Sequence, residues 1–175
     1  MAKAEVPAPV KLVVGAITSE ARALVQAKTR LKKKFGPIDF ESKPGPFNST
    51  DYYTSEMGPN LSRQFFSFAN LIDPGQLAAI KLYTNRLEAR LSPKSAQLKR
   101  SINLDPGYIS AAKLVLATCK NYAHRIYLDK GIFAEVTLQF HQGGFAAWPW
   151  TYPDYQSKEH LKTFTAIRQL YIKQT

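Results

Sequence analysis

The sequence predicts an α+β fold, in which a two-layer sandwich places helices mainly on one face of a mixed β-sheet. Three observations carry this prediction: strand-like runs alternate with amphipathic helical segments, a β-hairpin pattern follows, and a further amphipathic helix ends the sequence. A split βαβ unit is one core that this order of elements allows. The alternative is a doubly wound α/β sheet with helices on both faces, in three layers.

Length and composition indicate one folded domain. The chain has 175 residues, 45% hydrophobic and 21% charged, and we place the domain at residues 11–175 after a flexible N-terminal tail at residues 1–10. No apolar run approaches the ~20 residues of a membrane span, and no signal-peptide pattern is present. The single cysteine, Cys119, lies in an apolar run, so we expect a buried thiol in a cytoplasmic protein.

The first part of the sequence has the pattern of strand, helix, loop and strand. The β-branched run Lys11–Ile17 predicts a strand, and apolar residues at helical spacing predict a helix over Ser19–Phe35 that stops at a Gly-Pro pair. The stretch Ile38–Gly58 predicts a short strand and then a long, acidic, aromatic loop. The phenylalanine-rich stretch Leu61–Leu71 predicts a strand with one buried face.

Two Asp-Pro-Gly corners, Asp73–Gly75 and Asp105–Gly107, predict two strand-to-helix junctions, because Asp caps a helix and Pro suits its first position. The first of these helices should end near Ser92. One interpretation is ordinary capping at both corners. The other is an anion site at each helix N-terminus, with Lys81 or Lys113 two turns further on, although a capping aspartate occupies those N–H donors and repels a phosphate.

A β-hairpin is predicted around Gly131, with two strands and a three-residue loop: Tyr122–Leu128, Asp129–Gly131 and Ile132–Phe140. The loop length sets Ile126 opposite Ala134 and Arg125 opposite Glu135. This register gives the hairpin one apolar face, whereas a two-residue loop mixes the faces. One interpretation of Arg125 and Glu135 is a cross-strand ion pair.

The segment from Trp148 to Tyr155 is too rich in proline for a helix or a central strand, so it should run extended over the surface. Its aromatic side chains either cover the sheet or, beside basic groups, stack on bases. Ser157 then begins the last helix, whose apolar residues form one stripe.

Positive charge dominates the sequence. The formal net charge is +11, and residues 1–36 alone hold eight Lys and Arg against two acidic residues. Such an excess favours attraction to polyanions, including nucleic acids. The alternative explanation is a solvated basic face that maintains solubility.

Familiar catalytic motifs are missing from the sequence. It holds neither a Walker A loop nor a G-x-G-x-x-G turn, and no G-x-S-x-G corner marks a nucleophile. Its three histidines lack zinc-site spacing, so we assign no metal ligand, and the sequence leaves the cofactor unknown. Polar side chains near the expected strand ends remain as candidates. Three are possible acid–base residues: Asp105, His124 and Glu135. Seven are possible ligand contacts: Tyr53, Asn103, Tyr108, Lys113, Arg125, Trp150 and Asp154.

Seven stretches carry a family resemblance: KLVVGAI, KFGPIDFES, TDYYTSEMG, LIDPGQLAAIKLYTNRLE, INLDPGYISAAKLVLAT, HRIYLDKGIFAEVTL and PWTYPDY. Together they resemble an uncharacterised prokaryotic domain family of unknown function, some members of which are labelled GTP-binding proteins. The match runs from about Lys11 to Tyr171 and implies a bacterial or archaeal cytoplasmic protein made of this one domain. The label suggests GTP as a ligand, and the resemblance transfers no catalytic residue.

Two functions follow as hypotheses. The first is binding of a nucleotide, another phosphorylated ligand or RNA without a P-loop, suggested by the net charge, the two Asp-Pro-Gly corners and the aromatic segment. The second is an enzyme that uses Asp105, His124 and Glu135 as acid–base groups on a small anionic substrate. A closed polar pocket favours a small ligand or an enzyme, and a basic groove beside Trp150 favours nucleic acid.

Overall fold

A computed structural model describes residue 1 and residues 3–50, 52–92 and 99–175 of the chain. These residues form nine strands: β1 (Val10–Thr18), β2 (Ile38–Glu41), β3 (Gly45–Pro46), β4 (Ser62–Ile72), β5 (Asn103–Ile109), β6 (Lys113–Thr118), β7 (Ile126–Asp129), β8 (Ile132–His141) and β9 (Gly144–Ala147). They also form four helices: α1 (Ala21–Phe35), α2 (Thr54–Met57), α3 (Leu77–Leu91) and α4 (Lys158–Ile172). Two 3-10 turns, Pro74–Gln76 and Pro153–Gln156, precede α3 and α4.

The strands form one open sheet, whose main path runs β2, β4, β1, β5, β6, β8 and β7. In addition, β3 pairs with β4, and β9 pairs with β8. Every pairing among the described strands is antiparallel, so the expected mixture of parallel and antiparallel neighbours is not found. The predicted α+β class, with helices packed on a sheet, is confirmed.

The centre of the sheet has the predicted split βαβ arrangement. β4 and β5 lie on either side of β1 and are both antiparallel to it, so they run parallel to each other. α3 lies between them in the chain. All nine residues of β1 are buried, because side chains pack against both of its faces.

Alternate residues of β1 face two separate cores. Leu12 and Val14 pack with Leu31 of α1, and α3 contributes to the same core. Val13 packs in a second core with Phe164 of α4. α1 and α3 therefore lie on one face of the sheet, as predicted, and α4 covers the opposite face.

The helix ends follow local capping rules. α1 ends before Gly36, whose φ of 95° suits a glycine stop. At the first Asp-Pro-Gly corner, the Asp73 side chain accepts a hydrogen bond from the Gly75 N–H at 2.7 Å, as expected for a helix entry. Ser157 accepts the N–H of His160 and begins α4, as predicted.

The second Asp-Pro-Gly corner is part of a strand. Asp105, Pro106 and Gly107 lie within β5, so the predicted helix after them is wrong, and β6 occupies its place. Pro106 has no N–H to donate, and in the described residues β5 pairs with β6 only from Gly107 onward. A Cβ atom at Gly107 would lie 2.3 Å from the carbonyl oxygen of Val115, so the close approach of β6 requires glycine.

The β7–β8 hairpin has the predicted register away from its turn, with Ile126 opposite Ala134. At the turn, Asp129 pairs with Ile132, and the two residues between them have φ values of 50° and 77°. The turn therefore consists of Lys130 and Gly131, and the pairing register shifts between Tyr127 and Asp129. The predicted three-residue loop is wrong, because Lys130 adopts the positive φ that a two-residue turn needs.

Met1 and residues 3–9 are exposed, and Val10 is the first residue of β1. Within the ranges that the structure describes, no helix combines the length and apolarity needed to cross a bilayer.

Candidate functional site

A cavity of about 550 Å³ opens where β5 and β6 separate. Its wall includes Asn103 and Asp105 of β5, the end of β6, and side chains of α3, β4 and the 3-10 turn before α4. This volume lies within the ~300–1,000 Å³ typical of small-molecule sites. Since Pro106 lies where the two strands stop pairing, the strand break and the cavity share one local cause.

Arg63 of β4 is a buried cation in the cavity wall, with 4% of its surface exposed. Its Nε and Nη2 atoms donate to Asp154 Oδ2 at 3.0 and 2.7 Å, and Nη1 donates to Asp105 Oδ2 at 3.2 Å. Three aromatic rings have centroids 5.2–5.3 Å from its guanidinium carbon: Phe47, Phe65 and Tyr155. Two carboxylates and three rings thus hold the guanidinium in one position.

Asp105 connects several polar groups of the wall. Its Oδ2 atom also accepts a hydrogen bond from Asn103 at 2.7 Å, and its Oδ1 atom lies 3.6 Å from Lys81 Nζ. Burial favours the neutral acid, but Lys81 and Arg63 outweigh this effect and hold the pKa of Asp105 below its ordinary value. Asp105 is therefore ionised at neutral pH, which suits holding cations better than carrying a proton.

Glu88 of α3 contributes a second carboxyl group. Its Oε1 atom accepts the Leu104 N–H at 2.7 Å, and its Oε2 atom accepts a hydrogen bond from Arg100 at 2.7 Å. Burial raises the pKa of Glu88 above its ordinary value, against the opposing effects of Lys81 and Arg100. Glu88 therefore takes up a proton at a higher pH than an exposed glutamate does.

Glu135 of β8 is a third carboxylate of the wall and is 3% exposed. Its Oε2 atom accepts a hydrogen bond from Arg125 Nε at 2.7 Å and lies 3.0 Å from His124 Nε2. Arg125 also donates to the Tyr152 hydroxyl at 2.6 Å. The predicted contact between Arg125 and Glu135 is present, and it is a buried ion pair.

Three tyrosine hydroxyls surround the same charges. Burial raises the pKa values of Tyr53, Tyr152 and Tyr155 above their ordinary value, and the negative charge of Asp105 acts in the same direction on all three. These hydroxyls keep their protons at neutral pH and are hydrogen-bond donors. The Tyr155 hydroxyl is buried and lacks a hydrogen-bond partner among the residues that the structure describes.

The cavity wall is balanced in charge across the described residues. Four basic side chains line it: Arg63, Lys81, Arg100 and Lys120. Four acidic side chains line it as well: Glu88, Asp105, Glu135 and Asp154. In the same described ranges, no group of three His, Cys, Asp or Glu side chains could hold a metal ion. The net charge of +11 is therefore carried mainly outside the cavity.

Most of the predicted candidates gather at this cavity. Five of them line it: Tyr53, Asn103, Asp105, Glu135 and Asp154. His124 and Arg125 do not line the cavity, but both contact Glu135, which does. The break between β5 and β6 and the β7–β8 hairpin thus bring together side chains that are far apart in the chain.

Two predicted ligand contacts lie away from the cavity because β5 and β6 are strands. Tyr108 is on the opposite face of β5 from Asp105 and packs against the cores under α1 and α3. Lys113 is exposed at the first residue of β6, whereas Thr118 at the other end lines the cavity. The assignment of Lys113 depended on a helix after the second Asp-Pro-Gly corner, and that helix is absent from the described residues.

Trp150, a third predicted contact, also lies outside the cavity wall. Its ring stacks on Trp148 and on His124, with centroid distances of 5.2 and 5.5 Å and interplanar angles of 4° and 12°. Its Nε1 atom donates to the carbonyl oxygen of Val136 at 3.0 Å. Two stacked rings and a hydrogen bond to β8 thus engage Trp150 within the protein, which counts against an open platform for a base at this residue.

Several wall residues were not among the predicted contacts: Arg63, Lys81, Glu88, Arg100, Tyr152 and Tyr155. Lys81, considered as an anion ligand beside the first corner, instead donates to the Leu104 carbonyl at 2.9 Å. One sequence signal pointed to Arg63, which interrupts a phenylalanine-rich strand with a buried face. A charge in such a place needs a partner, although the sequence does not say which.

Cys119 is exposed, so the prediction of a buried thiol is wrong. β6 ends at Thr118, and Cys119 lies just beyond the strand, at the rim of the cavity. Its Sγ atom accepts a hydrogen bond from Asn85 of α3 at 3.2 Å.

The fold and the cavity define an α+β protein in which an open antiparallel sheet carries a polar cavity of small-molecule size. Residues 8–171 match the model of the domain of unknown function DUF4416, and the chain belongs to this family. This confirms the resemblance to a family of unknown function, whose description names no ligand. No curated protein and no solved structure matches the chain.

Proposed function

We propose that the cavity binds a small planar molecule of low net charge, of the nucleoside or nucleoside monophosphate class. The observation that carries the proposal is a 550 Å³ cavity whose wall combines tyrosine rings with four acidic and four basic side chains. Tyrosine rings pack against the faces of a base. Carboxylates accept hydrogen bonds from its N–H groups, and cations and hydroxyls donate to its carbonyl and phosphate oxygens.

The aromatic part of the wall supports a planar ligand. Tyr52 and Tyr53 meet edge to face with centroids 5.1 Å apart, and Tyr52 is 55% exposed. The Lys120 ammonium lies 4.0 Å from the centre of the Tyr52 ring. A base on the Tyr52 ring therefore has a cation within reach for a single phosphate group.

The charge balance supports a ligand with few negative charges. Arg63 already binds Asp105 and Asp154, and Lys81 lies close to Asp105. A triphosphate would add several negative charges beside these carboxylates, and like charges at short distance repel. We therefore propose nucleosides and nucleoside monophosphates as ligands in place of GTP, which the family label suggested.

Calorimetric titration tests the proposal, with guanosine, GMP, GTP, adenosine and AMP as the probes. We expect at least one nucleoside or monophosphate to bind in the micromolar range. We also expect less than a tenfold gain in affinity from monophosphate to triphosphate. Absence of binding by all five probes up to millimolar concentration contradicts the proposal, and a large gain with GTP contradicts the argument from charge.

A pair of tyrosine variants tests the location. Tyr52 lines the cavity and Tyr127 does not, and the two are similarly exposed, at 55% and 58%. Tyr52→Ala should weaken binding about tenfold, since stacking contributes roughly 1–3 kcal/mol per base. Tyr127→Ala should leave the affinity unchanged, and equal effects of the two substitutions would place the ligand elsewhere.

An acid–base enzyme is the second candidate, favoured by the contact of His124 with Glu135 beside a cavity that also holds Asp105. The low pKa of Asp105 makes it an electrostatic group, which leaves His124 and Glu135 for proton transfer. Mass spectrometry of the ligand that co-purifies with the protein would supply the substrate to test. An enzyme should convert it, and His124→Gln should slow conversion about a hundredfold without changing affinity. An unchanged ligand after long incubation removes this candidate.

A further inference from the structure

The outer surface of the layer formed by α1 and α3 is basic. We call six exposed residues the basic face: Arg22, Arg30, Lys33, Lys34, Arg86 and Arg90. α1 contains no acidic residue, and the one acidic residue of α3, Glu88, is buried at the cavity. The exposed charges of the two helices therefore have a single sign.

Helical spacing and a helix–helix contact join these residues into one surface. Arg22, Arg30 and Lys33 follow an i, i+8, i+11 spacing, and Arg86 and Arg90 an i, i+4 spacing, so each set lies on one side of its helix. The Tyr83 hydroxyl of α3 donates to the Arg30 carbonyl oxygen of α1 at 3.3 Å. Each helix has 15 residues and is therefore about 22 Å long, so the two rows extend over a broad surface.

Local structure accounts for only part of the basic face. Across the described ranges, no residue of the basic face forms a salt bridge, whereas Lys28 of the same helix pairs with Glu41 of β2. The helix dipole favours Lys33 and Lys34 at the C-terminal end of α1. It disfavours Arg22, which lies in the first turn. A partner with regularly spaced negative charges explains the whole row.

We propose that the basic face binds the phosphate backbone of duplex nucleic acid. Phosphates arranged along a rod match cations spread over two neighbouring helices. The two helices have no exposed aromatic side chain in the described residues, so the face lacks the stacking platforms that single strands need. Val25 is their one exposed large apolar residue in these ranges, whereas a helix that inserts into a membrane surface needs an apolar face.

This proposal is independent of the cavity, because no residue of the basic face lines the cavity. A control of equal charge is available on the opposite side of the sheet. Lys158, Lys162 and Lys173 are exposed on α4 or directly after it, and α4 packs on the other face. The combination Arg30→Gln, Lys33→Gln and Arg90→Gln removes the same number of charges as Lys158→Gln, Lys162→Gln and Lys173→Gln.

Fluorescence anisotropy with labelled duplexes of about 20 base pairs, one DNA and one RNA, tests the proposal at about 50 to 200 mM salt. The basic-face variant should bind about tenfold more weakly, and its log–log salt slope should be smaller by about 2–3. The α4 variant should keep its affinity for duplex within about threefold of the wild type. Both variants should show the wild-type circular dichroism spectrum and melting temperature.

Four results would overturn the proposal. Equal losses in the two variants would show that only net charge matters. Absence of duplex binding by the wild-type protein at low salt would remove the interaction altogether. Tighter binding of single strands of equal length, or of vesicles rich in anionic lipid, would assign the face to a different partner. Nucleoside affinity, measured on the same variants, reports on the cavity separately.

Discussion

The guanidinium group of Arg63 donates two hydrogen bonds to a single oxygen, Oδ2 of Asp154, from Nε at 3.0 Å and from Nη2 at 2.7 Å. Arg63 belongs to β4, and Asp154 belongs to the 3-10 turn before α4. The pair therefore connects the sheet to the C-terminal segment at the wall of the cavity. Both residues are buried, so the removal of Asp154 leaves Arg63 with Asp105 as its one remaining carboxylate partner in the described residues.

Asp154→Ala should lower the free energy of unfolding by about 3–5 kcal/mol, because the buried Arg63 guanidinium loses its closest carboxylate. Urea denaturation measures this loss. Glu159→Ala, which removes an exposed carboxylate of α4, should cost less than about 1 kcal/mol and serves as the control. A similar small loss for both variants would mean that the ion pair does little to hold the segment.

Acid should destabilise the protein through Asp105. The pKa of Asp105 is lower in the folded protein than its ordinary value of about 3.9. Its contribution is therefore fully present above about pH 4 and is lost as the pH falls through the lower folded value. Between about pH 5 and pH 2.5, urea denaturation should show a larger loss of stability for the wild type than for Asp105→Asn. Both proteins contain Glu88, so its titration does not account for a difference between them. Identical pH profiles would contradict the prediction.

Tyr155→Phe should raise the free energy of unfolding by about 1 kcal/mol, because it removes a buried hydroxyl that lacks a partner in the described residues. Tyr171→Phe is the matched control. Tyr171 is also buried, but its hydroxyl donates to the Pro9 carbonyl at 3.1 Å, so its loss should cost about 1 kcal/mol. Thermal and urea denaturation measure both changes, and a destabilising Tyr155→Phe would show that the hydroxyl has a partner in solution.

Gly107→Ala should destabilise the protein by about 1–3 kcal/mol or more, since the new Cβ atom would lie 2.3 Å from the Val115 carbonyl oxygen. In the alanine variant, the contact between this Cβ atom and the Val115 backbone would push β5 and β6 apart next to the cavity. Gly45→Ala in β3 has no atom within 4 Å of its Cβ position and should change stability by less than about 0.5 kcal/mol. Comparable unfolding midpoints for the two variants would contradict the role assigned to Gly107.

Local signals predicted those parts of the fold in which a few adjacent residues settle the conformation. Asp73 and Ser157 cap helices because their side chains reach N–H groups two or three residues ahead. Alternation of apolar and polar residues predicted the register that sets Ile126 opposite Ala134. The turn between the strands was predicted less well, because the conformation of Lys130 is not evident from its residue type.

The two Asp-Pro-Gly corners show that a local motif is not enough to predict the conformation of the chain. Both have the same three residues, yet the first begins a helix and the second lies inside β5. Pro106 lies opposite Val14 of β1, and Gly107 lies against Val115 of β6, so neighbours from distant parts of the chain select the strand. The prediction of a helix there was wrong for this reason, and with it the placement of Lys113.

The sequence by itself determined the α+β class, the approximate bounds of α1, α3 and α4, and three of the four carboxylates that line the cavity in the described residues. Only the tertiary structure decided which of them meet and what charge they carry. Arg63 and Asp154 are 91 positions apart, and no local pattern relates them. They form a pair because the strand order places both in a buried region, where a charge is stable only beside a partner of opposite sign.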